Sequence, residues 1–185
     1  MVELSADRQR LVRLMTGYQN GNMEDFNDLY AALEGPLKRY LWTFVHDVVT
    51  VEDVLQTTFL QLHRARHTYI PPRPVKPWVY AIARHVALMH LRSHRRHKEV
   101  PPTEALPDIP IPPEVEKLGN RRLVQRLLLE LPRAAQEVLV LHHMLGLSFA
   151  EIGRVMGISP GAAKVRAHRA LKTLRIRVGE LGGRT

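Results

Sequence analysis

Residues 146–175 read GLSFAEIGRVMGISPGAAKVRAHRALKTLR. Ser148 is a good N-cap for a short helix carrying Phe149, Ile152 and Val155, and Glu151 stands three residues on, as in a capping box. Gly157 is placed to adopt a positive φ and turn the chain. Ser159 caps a longer helix with Pro160 at its first position, where a missing N–H costs nothing. A short helix, a glycine turn and a long basic helix form the helix-turn-helix pattern, whose second helix enters the major groove of DNA.

Rotation at about 100° per residue tests that assignment. Ala163, Ala167, Ala170, Leu171 and Leu174 gather on one side, where small side chains allow close packing. Lys164, Val165, His168, Arg169 and Lys172 gather on the other, with Arg166 between the faces. That second face offers donors at the spacing needed for base edges and phosphates.

Outward from this motif the chain stays helical. Residues 123–131 form one apolar helix stopped by Pro132, and residues 133–144 form a second. In residues 51–62 the apolar Val51, Val54, Leu55, Phe59 and Leu62 make one stripe of a 3.6-period helix. Asp25 and Asn27 can start a helix carrying Phe26, Leu29, Tyr30 and Leu33, followed after a break at Pro36 by residues 37–45. A further long helix runs from Pro77 or Trp78 to His97, behind a stiff loop holding Pro71, Pro72, Pro74 and Pro77. No useful length shows the alternation of a strand, so the expected fold class is all-α.

The charge is uneven. Of 185 residues with a net charge of +9, residues 1–97 hold 13 basic and 9 acidic side chains, and residues 119–185 hold 12 and 4. Residues 98–118, KEVPPTEALPDIPIPPEVEKL, hold 2 and 5, together with six of the thirteen prolines. Such a run forms neither helix nor sheet core, which predicts two helical domains, 1–97 and 119–185, on an acidic extended tether. The basic excess favours a polyanionic partner such as nucleic acid.

The absence of cysteine excludes disulfides, thiolate metal sites and a cysteine nucleophile. No apolar run reaches a membrane span, and the first 13 residues have no signal-peptide core, so a cytoplasmic protein without membrane insertion is expected. No Walker loop, GxSxG or paired carboxylates appear, so no catalytic residues are expected. His90, His94 and His97 share one helix face at metal-ligand spacing. Arg92, Arg95 and Arg96 flank them and oppose a bound cation, so neither metal nor cofactor is expected. His142 and His143 are adjacent and are not expected to point the same way.

Two blocks, VEDVLQTTFLQLHRA (51–65) with KPWVYAIARHVALMHLRSHRR (76–96), and residues 131–175, occur in the order and spacing of a known family. The chain resembles the bacterial RNA polymerase sigma factors of the small extracytoplasmic-function (ECF) group, from about Asn22 to Arg177. The resemblance implies a factor that binds core RNA polymerase and directs promoter-specific initiation. Helix 51–65 would dock on the clamp helices of the β′ subunit through Asp53 and Gln56, with Leu55 and Leu60 as apolar contacts. Arg73, Lys76, Arg84, His85, Arg92, Arg95 and Arg96 would act at the −10 element, where a flipped base needs a shaped pocket and phosphate contacts. Lys164, Val165, Arg166, His168, Arg169 and Lys172 would face the −35 duplex. The tether would run toward the polymerase active centre. The implied partners are core polymerase (β′ and β subunits), promoter DNA and an anti-sigma factor. The chain departs from the family's usual residues at Thr57, His85, Met89, Ala162 and Val165. The rival reading is a helix-turn-helix regulator that acts without polymerase, because that motif is widely shared.

Overall fold

The computed structural model describes residues 2–94 and 121–182, and all regular structure among them is helical. The tether 98–118, Arg95, Arg96 and His97 lie outside the described residues. The N-terminal half holds α1 (Val2–Gln19), α2 (Met23–Leu41), α3 (Val48–Ala65) and α4 (Val75–His94). The C-terminal half holds α5 (Arg121–Glu130), α6 (Arg133–Leu139), α7 (Phe149–Met156) and α8 (Pro160–Gly182). A five-residue π turn, Val140–Met144, extends α6.

Helix starts follow the local chemistry. Asn22 caps α2 by accepting from the Glu24 N–H at 3.0 Å, and Glu24 and Asp25 complement the positive end of the helix. Asp47 caps α3 by accepting from both the N–H and the hydroxyl of Thr50, at 2.8 and 2.7 Å. Helix α3 thus begins at Val48, one turn ahead of the apolar stripe that announced it.

The break expected at Pro36 does not occur. Helix α2 runs through it, because proline forfeits one hydrogen bond at a cost of about 3 kcal/mol. Leu33, Leu37 and Leu41 around it are fully buried, each contributing about 1.5–3 kcal/mol, and carry the helix through the defect. Pro77 is harmless for a different reason: it lies in the first turn of α4, where its missing donor has no partner to lose.

The halves are not strung apart. One buried cluster runs from Met15, Leu29, Leu55, Val79 and Ala83 into Val138, Leu141, Ile152 and Ala163 of the C-terminal half. Helix α4 lies against α7 across this joint. A second cluster of Val124, Leu127, Leu139, Ala170, Leu174 and Val178 binds α5 to α6 and α8.

Tyr40 and Tyr80 are buried in the first cluster, edge to face with ring centroids 5.2 Å apart. Burial holds both phenols above their ordinary pKa, so they are neutral, and neither hydroxyl has a hydrogen-bond partner. Tyr80→Phe is therefore expected to raise stability by about 1 kcal/mol, because it deletes an orphaned polar atom and keeps the ring. For a chain of this size that is a gain of about 2–4 °C in Tm. A lower Tm in a thermal melt would show that the hydroxyl is satisfied in solution.

Candidate nucleic-acid interface

The helix-turn-helix is built as the residues dictate. Ser148 Oγ accepts from the Glu151 N–H at 3.3 Å while Glu151 Oε2 accepts from the Ser148 N–H at 2.8 Å, a complete capping box. Gly157 ends α7 with φ 69°, and the Gly153 carbonyl accepts from both the Gly157 and Ile158 N–H groups. Ser159 Oγ then accepts from the Ala162 N–H at 3.1 Å and starts α8.

Helix α8 has two faces. Ala163, Ala167, Ala170 and Leu174 are buried against the rest of the domain. Lys164, Val165, His168, Arg169 and Lys172 are exposed, and Arg166 is half-buried between them. Lys164, Val165, His168 and Arg169, with His142, His143, Phe149 and Leu171, line an open groove along the helix. His142 donates from Nδ1 to the Leu147 carbonyl at 2.8 Å and stacks on Phe149 at 4.2 Å. Its ring lies 4.8 Å from that of His143. Both histidines stand on the π turn and line this groove, with their rings steeply inclined to one another.

In the N-terminal half the candidate cations are held differently. Arg73, His85 and Arg92 are exposed. Lys76 Nζ bonds Asp7 Oδ2 at 2.7 Å, and Arg84 Nε bonds Glu137 Oε2 of the other half at 2.8 Å. Trp78 is half-buried, 5.5 Å from the Tyr69 ring. On α3, Asp53 and Gln56 are exposed and Leu60 is 48% exposed. Leu55 is 0% exposed. It belongs to the packed stripe with Val51, Val54, Phe59 and Leu62 and is not available to a partner, a correction to the expected contact set.

Residues 29–97 match the family described as sigma-70 region 2, and residues 121–174 match sigma-70, region 4. The RNA polymerase sigma factor CarQ of Myxococcus xanthus is 36% identical over 90% of this chain and 97% of its own length. The ECF RNA polymerase sigma factor BldN of Streptomyces coelicolor is 33% identical over 91% of this chain and 66% of its own length. This chain is an ECF sigma factor. The fold agrees: CnrH, solved with the cytosolic domain of CnrY, superposes with a TM-score of 0.68 at 24% identity, over 94% of this chain and 98% of that one. The factor's region 2 match spans α3 and α4, and its region 4 match holds the helix-turn-helix.

Helix α1 lies ahead of the matched regions, and its importance was missed. Its stripe of Leu11, Leu14, Met15 and Tyr18 is buried on α2, and that spacing was available as a signal. The groove histidines and Glu137 carried no signal of their own. Among the described residues no group of His, Asp or Glu is arranged to hold a metal, and no helix is long and apolar enough to cross a membrane.

Proposed function

We propose that this sigma factor divides its work among three surfaces. Asp53, Gln56 and Leu60 on α3 dock on the β′ clamp helices of core polymerase. Arg73, Lys76, Arg84, His85 and Arg92, continued by Arg95 and Arg96, engage the −10 element from residues 1–97. Lys164, Val165, Arg166, His168, Arg169 and Lys172 engage the −35 element from residues 119–185. The acidic tether 98–118 joins the two readers, each of which gains effective concentration once both are fixed on one polymerase. The factor acts in the bacterial cytoplasm, performs no bond chemistry itself and lends specificity to the polymerase. An anti-sigma factor belongs to the proposal, since RpoE of Bartonella quintana was solved with the anti-sigma factor NepR.

The observation that supports this reading best is α8. Behind a fully capped turn, five side chains of one face stay open to solvent while four of the other are buried. The test is transcription in vitro with purified bacterial core polymerase on a library of host promoters. New start sites sharing two spaced elements are expected with the factor and absent without it. Asp53→Arg reverses a charge on the exposed face of α3 and is expected to weaken core binding about tenfold or more, while duplex DNA binding holds. DNA binding without core, and no new transcripts with it, would instead establish a regulator that works without polymerase.

A further inference from the structure

We propose that the free chain is held closed by an ionic clasp between its halves, which ties up Arg84 of the −10 reader and leaves the −35 reader open. The proposal rests on the assignment of Arg84 to promoter contact.

Glu137 of α6 is the pivot. Its side chain is 1% exposed, and its Oε2 accepts from Arg84 Nε of α4 at 2.8 Å. Its Oε1 takes no hydrogen bond and lies 3.6 Å from Arg133 Nε, and the Arg133 guanidinium sits over the Phe44 ring of the N-terminal half at 5.4 Å. The other end of the joint has a second tie. Arg8 of α1 reaches Glu151 Oε2, the capping carboxylate of α7, at 3.2 Å. Between the two ties Leu11, Val75 and Pro77 face Leu145 and Leu147.

A buried carboxylate is stable only while its cation stays with it, and the same two charges are well solvated once apart. The clasp is therefore a contact that a competing anion can replace: nucleic-acid phosphate for Arg84, and water for Glu137. Closed, it occupies a cation in the middle of α4. The exposed face of α8 makes none of these ties. The free factor thus presents the −35 reader whole and the −10 reader without Arg84, and single-stranded promoter DNA gains that contact only after the halves part.

The sequence contains no cysteine, so Ala31→Cys and Glu180→Cys, both at exposed sites, allow a nitroxide pair to report the distance between the halves of the full chain. Wild type is expected to give one narrow distance distribution. Glu137→Gln removes the buried charge at constant shape, and Arg8→Ala cuts the exposed tie without touching the core; each is expected to broaden the distribution. Binding of fluorescein-labelled oligothymidylate is expected to tighten about tenfold in Glu137→Gln if the open form is about a tenth of the wild-type population. Its salt slope should steepen by about 0.7 for one added phosphate contact. Duplex binding, carried by α8, should change far less. A distribution already broad in wild type, or unchanged in both variants, would overturn the clasp. So would parted halves with unchanged single-strand binding, because the contact would then tie up no part of a reader. Failure to support initiation with core polymerase, with these results intact, would count against the proposed function and leave the clasp standing.

Discussion

Lys164→Ala combined with Arg169→Ala is expected to reduce initiation at a cognate promoter about 100-fold while core binding stays within about twofold. Both side chains stand on the exposed face of α8, one on each side of Val165 and His168. Loss of a base contact costs about 1–3 kcal/mol, and two losses near the lower end multiply to about two orders of magnitude. The fold should not suffer. Alanine is the best helix former, and α8 packs through Ala163, Ala167, Ala170 and Leu174, none of which is altered. Salt dependence separates the two kinds of contact. A side chain on phosphate lowers binding to all duplexes alike and takes about 0.9 from the salt slope, whereas one on a base edge relaxes preference at one position. Run-off transcription and core binding would be measured side by side. Loss of core binding in the double variant would remove the division of labour between α3 and α8.

The parts of the molecule that could be read from residue order are those whose chemistry is local. Ser148, Glu151, Gly157, Ser159 and Pro160 announce the turn and both helices around it, because each acts within four residues of itself. The period of α8 likewise separates its buried alanines from its exposed cations. Reading failed where a second partner is remote. Glu151 was legible as a capping residue, but its pairing with Arg8 joins positions 143 residues apart. Glu137 was one carboxylate in an apolar helix, and only the joint between the halves shows it buried on Arg84. The tether suggests two units, yet a proline-rich link says nothing of whether their surfaces fit. They do fit, because α4 and α7 offer apolar faces to each other and bury them in one core. Pro36 shows the same limit in reverse: a strong local signal for a break yields to three buried leucines.

The joint also joins the two candidate readers physically. Arg84 lies on α4 and Glu151 on α7, so the helix that would meet the −10 element packs on the helix that supports α8. On the proposed assignment, the clasp would part before both readers lie on one promoter. The α3 face with Asp53, Gln56 and Leu60 stays exposed while the halves are packed together.

Gly153→Ala is expected to destabilise the helix-turn-helix by about 2–3 kcal/mol, against the usual direction of that substitution. In an ordinary helix the change gains up to about 1 kcal/mol from propensity. Here a Cβ on residue 153 would lie 2.6 Å from the Ile158 carbonyl oxygen and 3.4 Å from the Pro160 nitrogen. Both obstacles are backbone, so no rotamer change relieves them. The same Gly153 carbonyl anchors the turn by accepting from Gly157 and Ile158, and the strain therefore falls on the bonds that set the angle between α7 and α8. Overpacking of this kind costs about 1–3 kcal/mol beyond any gain in propensity. For a chain of this length the expected fall in Tm is about 5–10 °C. Promoter binding should fall further than stability alone explains, because α8 is re-aimed as well as loosened, while the α3 surface keeps its hold on core polymerase. Gly161→Ala is the control: it stands in the first turn of α8 with nothing near its added Cβ, and it should be neutral or mildly stabilising. Equal Tm values for Gly153→Ala and wild type would mean that the close approach of the two helices in this turn does not hold in solution.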